Sequence, residues 1–348
     1  MLTQTTSGQV VITPASILET GLSFFSSKVL LTAVNLHLFT SLAESSKTGT
    51  EIKETLGLQE RGLYDFLDAL VALKFLYREG TGADAKYCNT LETDVFLDKN
   101  KSSYVGGLLE MCNNRLFPFW NDLEAGLKTG LPQNEAKIHG TGIFEKLYED
   151  ESKLEEFMGA MSGVQRSNFI ALARSFDFSS YKTHVDIGGA SGELSIQIAT
   201  FNPNIESTTY DLPPVARVAQ RNIDAAGVSD RVKTAVGNFF TDSFPKADLI
   251  TMGNILHDWN LEEKKMLIGK AYDALPEDGA FIVIENIIDD ERKENAFGLL
   301  MSLNMLIETP GGFDYTAKEF AGWAKEAGFK DVTKIPLAGP ASALIVYK

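Results

Sequence analysis

Residues 185–192, Val-Asp-Ile-Gly-Gly-Ala-Ser-Gly, constrain this chain more than any other stretch. Val185 and Ile187 read as a buried strand, and the amphipathic run from Glu193 to Ala199 reads as a helix that begins at once. Strand, glycine turn and helix in this order let backbone come close to a bound cofactor. Glycine carries no Cβ, and a helix N-terminus presents free N–H groups. The dinucleotide fingerprint G-x-G-x-x-G would need glycine at 188, 190 and 193, but Ala190 and Glu193 occupy two of those places. A nicotinamide dehydrogenase is therefore disfavoured.

The pattern around this turn alternates. Strands are expected at Val185–Gly188, Ser207–Leu212, Val232–Asn238, Asp248–Met252, Phe281–Glu285, Val332–Ile335 and Ala343–Tyr347. Helices are expected at Glu193–Phe201, Val215–Ala226, Glu262–Ala274, Glu291–Ile307 and Ala317–Ala327. Such alternation predicts a doubly wound α/β domain with its ligand at the carboxyl ends of the strands. The last two strands have no helix between them and are expected to pair as an antiparallel hairpin at one sheet edge.

The first half, to about residue 175, reads as almost wholly helical. Within it, helices around Ile52–Leu56 and Leu63–Leu70 precede Phe75-Leu76-Tyr77, a glycine turn, and Lys86-Tyr87-Cys88. Two helices and a hairpin suggest a winged helix, and hence DNA binding. The candidate recognition helix, Gln59 to Asp68, carries three acids and one base, and the whole chain carries a net charge of −15. Neither can neutralise phosphates, so no nucleic-acid partner is expected. An acidic ligand-sensing regulator remains a rival from a different class.

The chain's 348 residues suffice for two domains with real cores. No uninterrupted apolar run reaches the roughly 18 residues of a membrane span, and no secretory signal is evident, so a cytoplasmic protein off the membrane is expected. Cys88 and Cys112 are too few for a disulfide framework or a metal cluster and read as small buried hydrophobes.

Several residues could carry chemistry. Asp211 ends the second strand about twenty residues past the glycine turn, where a carboxylate accepts the ribose hydroxyls of an adenosine group, or simply caps the next helix. Asn238 and Phe239 follow the third strand, where an amide reads an adenine edge and an aromatic ring stacks on it. His257 lies just past the fourth strand, within Gly253-Asn254-Ile255-Leu256-His257-Asp258-Trp259, and Glu285 ends the fifth. Histidine suits proton removal near neutral pH, and a neighbouring carboxylate stabilises its charged form. His37, His139 and His184 have no such setting and read as structural. Met301 and Met305, one turn apart, and Met158 and Met161 read either as core packing or as a pliant apolar pocket for a flat aromatic substrate.

Taken together, these residues resemble the small-molecule O-methyltransferases that include plant caffeate-type, acetylserotonin and bacterial polyketide-tailoring enzymes. The motifs are Val-Asp-Ile-Gly-Gly (185–189), Tyr-Asp-Leu-Pro (210–213), Gly-Asn-Phe-Phe (237–240), His-Asp-Trp (257–259) and Pro-Gly-Gly (310–312). The resemblance implies a Rossmann-like domain with a mostly parallel seven-stranded sheet, preceded by a mainly helical, winged-helix-like dimerisation domain. The expected boundaries are residues 1–100 for dimerisation, 101–175 for a helical connecting and substrate-pocket region, and 176–348 for the methyltransferase domain.

S-adenosylmethionine would be the cofactor and S-adenosylhomocysteine the product. The cofactor would be held by Asp186, Gly188, Gly189, Gly192, Asp211, Leu212, Asn238, Phe239 and Gly253. His257 would be the general base acting on a phenolic or enolic hydroxyl, with Glu285 and Asp314 as orienting carboxylates. Phe157, Met161, Met301 and Met305 would line the acceptor pocket of a homodimer, and no metal is implied. Ala190 departs from the family's usual third glycine, Asn238 from its aspartate, Gly253 from the lysine of plant members, and Asp314 from its glutamate. An N- or C-methyltransferase of the same fold is the alternative within enzymes.

Overall fold

The computed structural model describes residues 12–101, 103–135, 137 and 151–348; His139 lies outside them. The chain forms two compact units, Met1–Leu116 and Phe117–Lys348.

In the first unit the helices Gly49–Leu56 and Leu63–Ala72 precede a small antiparallel sheet. Its strands are β1 (Lys47–Thr48), β2 (Leu76–Glu79) and β3 (Lys86–Asn89), in the order β1-β3-β2. Thr48 and Glu51 form a reciprocal capping box that starts the first of these helices, and Gly57 closes it in a left-handed conformation. Leu63, Leu67 and Leu70 fall on one helical face and are buried with Phe39, Ile52, Leu76 and Tyr87. Asp68, an acid of the candidate recognition helix, accepts hydrogen bonds from Arg78 at 2.7 Å and from the Tyr87 hydroxyl at 2.9 Å. Its charge is therefore spent on tying the helix to the hairpin. Ahead of this core, the helix Ala15–Asn35 is by length and composition apolar enough to cross a membrane. Glu19 and Lys28 interrupt its apolar run.

The second unit holds a seven-stranded sheet in the order β6-β5-β4-β7-β8-β10-β9. Its strands are β4 (Thr183–Ile187), β5 (Glu206–Asp211), β6 (Val232–Val236), β7 (Leu249–Gly253), β8 (Ala280–Glu285), β9 (Val332–Pro336) and β10 (Ser342–Tyr347). The first five are parallel, and β10 runs antiparallel between β8 and β9. All six residues of β8 are buried, as a strand covered on both faces requires. The chain leaves β4 towards β5 and β6, then returns to β7 on the other side. A crevice therefore opens between the carboxyl ends of β4 and β7, the usual ligand position in such sheets.

Most expected boundaries shift by one or two residues, and two of the shifts have a visible cause. The helix expected from Glu291 begins at Ala296. The Asp289 carboxylate accepts the backbone N–H groups of Lys293, Glu294 and Asn295 at 2.9–3.0 Å, and Asn295 then caps the helix through Gly298 N–H. The strand expected to reach Asn238 stops at Val236. Asn238 Oδ1 accepts Phe240 N–H at 2.9 Å, and its own N–H donates to Asp242 at 2.8 Å, so the chain turns there.

Candidate active site

The turn after β4 packs too tightly for side chains. A Cβ on Gly189 would lie 2.1 Å from Thr209 Oγ1 and 2.8 Å from Asp186 Oδ2. Ala190 adopts φ +46°, a left-handed conformation that disfavours any residue with a Cβ. In this conformation its N–H donates to Asp211 Oδ2 at 3.0 Å, while Asp211 Oδ1 accepts Leu212 N–H at 2.7 Å. Burial pushes the Asp211 carboxyl up to about 6 against the pull of those two N–H groups.

Asp186 is held from the side. Thr251 Oγ1 donates to Asp186 Oδ1 at 2.6 Å, so it accepts from His184 Nε2 at 2.9 Å. That tautomer leaves His184 Nδ1 to accept from Ser207 Oγ at 2.7 Å. Burial pulls His184 down to about 3 and pushes Asp186 up to about 7. His184, expected to be merely structural, thus anchors a carboxylate beside the turn. Neither Asp186 nor Asp211 has a cationic side chain within ion-pair distance among the described residues.

Around this turn stand the other expected cofactor residues. Gly188 and Gly192 both have positive φ, Leu212 and Ala190 pack against the buried cluster of Leu154, Met158, Val215 and Val218, and Gly253 ends β7 with Phe169 of the helix Glu151–Ser175 beside it. Phe239 sits in an aromatic group with Phe240 and Trp259, its ring centroid 5.8 Å from Trp259. Asn238 is exposed, with its side-chain oxygen used within its own turn.

His257 sits in a short 3-10 turn, Leu256–Asp258, directly after β7, and is buried. Its Nδ1 lies 3.4 Å from Asp314 Oδ1 and 3.7 Å from Glu285 Oε2, and its Nε2 lies 3.6 Å from Asp258 Oδ1. The backbone N–H of His257 donates to Glu285 Oε1 at 3.3 Å. Sheet order explains the pairing: β7 and β8 are neighbours, with Gly253 opposite Ile284.

Asp314 arrives on the segment that follows Pro310-Gly311-Gly312. Ile288 N–H donates to Tyr315 O at 3.0 Å, and Asp314 N–H to Ser302 Oγ at 3.1 Å. Gly312 passes so close beneath the histidine that a Cβ there would lie 2.6 Å from His257 O and 2.7 Å from Asp258 O. The structure thus brings His257, Glu285 and Asp314 together. Burial opposes charge on His257, but Glu285, Asp258 and Asp314 outweigh it and push the imidazole up to about 10. Burial raises Glu285 to about 7 although the imidazole opposes this.

Sequence reasoning missed Lys264. It is completely buried, its ammonium donates to Trp259 O, and it stands 3.6 Å above the Phe313 ring centroid. The available signal was a lysine on the apolar face of a helix, in register with Leu267, Ile268 and Ala271.

The expected pocket residues divide between two helices. Phe157 and Met161 lie on Glu151–Ser175, where Phe157 packs against the same buried cluster as Ala190 and Leu212. Met301 and Met305 lie on Ala296–Glu308, which packs against the His257 turn; Met305 is buried and Met301 partly so.

The O-methyltransferase domain family matches residues 120–330, and the O-methyltransferase dimerisation domain family matches residues 18–99. The tetracenomycin polyketide synthesis 8-O-methyl transferase TcmO of Streptomyces glaucescens is 38% identical over 335 residues, covering 96% of this chain and 97% of the relative. The N,N-dimethyltransferase OxyT of Streptomyces rimosus is 30% identical and covers 90% of each chain. Among solved structures, human N-acetylserotonin methyltransferase in complex with S-adenosylmethionine superposes with a TM-score of 0.89 at 26% identity, covering 98% of this chain and 99% of that one. With the glycine turn, the strand-end carboxylates and the buried histidine in one crevice, this chain belongs to the S-adenosylmethionine-dependent O-methyltransferases.

Proposed function

We propose that this enzyme methylates a phenolic or enolic hydroxyl of an aromatic, polyketide-like acceptor, with His257 as general base and Glu285 and Asp314 as its orienting carboxylates. The observation that carries the reading is His257 itself, buried at the carboxyl end of β7 with two carboxylates within 3.7 Å of Nδ1. TcmO, an 8-O-methyl transferase of tetracenomycin polyketide synthesis, supports the acceptor class.

S-adenosylmethionine supplies an electrophilic methyl group on a cationic sulfonium. Asp186 and Asp211, two carboxylates without cationic partners among the described residues, suit a ligand bearing positive charge and ribose hydroxyls. The Gly188–Gly192 turn leaves room for it by excluding side chains. Phe239, Gly253 and Leu212 border the same crevice.

At the other end, the carboxylates facing Nδ1 keep a proton there and leave Nε2 to take the acceptor's proton. The 3.4 and 3.7 Å separations are within the range of catalytic contacts before acceptor and cofactor bind. Proximity and orientation supply up to roughly 7–11 kcal/mol of barrier reduction, and proton removal about 10²–10⁴-fold in rate. Phe157, Met161, Met301 and Met305 would supply apolar walls, and the 18–99 segment would pair two copies.

The test couples calorimetry with S-adenosylhomocysteine to a methylation screen of hydroxynaphthoates and hydroxyanthraquinones. His257→Ala should bind S-adenosylhomocysteine normally and lose at least 10²-fold in turnover, the lower bound for a general base. Unchanged turnover would remove His257 from that role. An amine acceptor is the second reading, favoured by OxyT, and such a substrate would lose far less activity in His257→Ala.

A further inference from the structure

Lys264 is the feature of this site that the reaction scheme leaves unused. Charged side chains are almost never fully buried unless paired, yet Lys264 is 0% exposed. Its ammonium donates to one backbone carbonyl, Trp259 O, and otherwise rests on the face of Phe313 at 3.6 Å, with Tyr315 at 5.9 Å. No carboxylate lies within ion-pair distance of it among the described residues. A lysine whose only task was to satisfy Trp259 O would be a costly solution, since taking an ammonium out of water costs several kcal/mol. Its location accounts for that cost. Phe313 adjoins Asp314, and Trp259 adjoins Asp258, so the ammonium is seated between the two segments that bring carboxylates to His257.

The groups facing His257 come from every element around it. Asp258 shares its turn, Glu285 comes from β8 and Asp314 from the segment after the Gly-Gly turn; behind them, Lys264 of the helix Leu261–Ala274 interacts with all three carboxylates and with Glu263, and Tyr315 with Glu285 and Asp314. The helix Ala296–Glu308, which also packs on the turn, carries Glu308 as its one ionisable side chain. Three carboxylates stand within 3.7 Å of one imidazole, and among the described residues Lys264 is the one cation buried with them. Left to themselves, those carboxylates would hold the imidazole protonated and useless as a base.

We propose that Lys264 is a positioning residue for catalysis: its buried ammonium, seated on Phe313, offsets the carboxylates around His257 so that the imidazole can give up its proton and act as base. The inference rests on the reading of His257 as general base. It also predicts a particular pH signature. Burial pulls Lys264 down to about 8 although Glu285, Asp314 and Asp258 oppose this, so its charge is present at pH 7 and lost above pH 9. The help it gives His257 should vanish over the same interval.

The test compares wild type with Lys264→Met, which keeps the contact with Phe313, and Lys264→Gln, which keeps a donor to Trp259 O. Two quantities are followed from pH 6 to 9.5: kcat/KM for the phenol found in the methylation screen, and carbethoxylation of His257 by diethylpyrocarbonate, which reacts only with neutral imidazole. At pH 7 both should fall about tenfold in both variants, the effect of one pKa unit on the neutral imidazole, and rejoin wild type above pH 9. A variant-to-wild-type ratio that is constant with pH would overturn the proposal, as would parity throughout. Failure of both variants to fold would also overturn it, by placing the lysine's contribution in stability. If His257→Ala retains turnover, the base reading itself fails. If His257→Ala is inactive and the ratio is flat, only the role of Lys264 falls.

Discussion

At the scale of single residues, the site depends on charges held where water cannot reach them. His257 is raised to about 10 because three carboxylates outweigh its burial. The sign of the consequence is fixed. Below that value the neutral imidazole is the minor form, and its fraction grows tenfold for each pH unit. At saturating cofactor, kcat/KM for a phenolic acceptor should therefore climb from pH 7 to about 9, with a slope held below one across the interval where Lys264 loses its charge. A pH–rate profile checks this, and a flat profile over those two units would mean that no proton leaves through His257. Ala190 makes a different point about single residues. Its left-handed φ of +46° is strained, by about 1 kcal/mol, yet the same conformation aims its N–H at Asp211. Local strain is retained where it shapes a binding turn.

At the scale of elements, the sequence pattern shows the frame plainly and its junctions poorly. Strands β4 to β8 announce themselves by short apolar runs separated by helical periodicity, and the motif residues at their carboxyl ends fall on one side of the sheet. The helix expected from Glu291 fails because Asp289 captures three backbone N–H groups before a helix can form, a local competition that periodicity does not register. Lys264 escaped notice because a lysine on an apolar helical face reads as a solvated exception, whereas the tertiary neighbours that bury it come from 50 residues further on. His184 escaped for the same reason: its partners Ser207 and Thr251 belong to two other strands.

The Pro-Gly-Gly turn was legible as a motif, and the structure supplies its physical reason. Gly312 N–H donates to Thr309 Oγ1 at 2.7 Å, and a Cβ at 312 would fall 2.4 Å from that same oxygen as well as against two carbonyls of the His257 turn. Gly312→Ala must therefore push the turn away and take Asp314 with it. The expected outcome is a fall in kcat of tenfold or more with the affinity for S-adenosylhomocysteine, which the proposed reading assigns to the Gly188–Gly192 turn, nearly unchanged. Calorimetry and steady-state kinetics on one preparation separate the two. Equal losses in both would indicate a global packing defect instead.

At the scale of the whole molecule, one surface is out of keeping with an acidic protein of net charge −15. The helix Ala15–Asn35 leaves Ile17, Leu18, Leu22, Phe24 and Phe25 between 49% and 74% exposed. Contiguous apolar surface of this kind marks an interface. Two occupants suit its length and composition, a membrane or a second copy, and the match of residues 18–99 to an O-methyltransferase dimerisation domain favours the copy. Each leucine or phenylalanine that becomes fully buried contributes about 1.5–3 kcal/mol, so a symmetric interface that uses each of them twice gains enough to offset the cost of association. A carboxylate placed in such an interface is buried without a partner, and symmetry doubles the penalty. Leu22→Glu combined with Phe25→Glu should therefore convert a sedimenting dimer to monomer at micromolar concentration. The circular dichroism of the monomer should be unchanged, because both positions are exposed in the single chain. A double variant that sediments like wild type would exclude this helix from the interface, and flotation of wild type with phosphatidylcholine vesicles would assign its apolar face to a membrane instead.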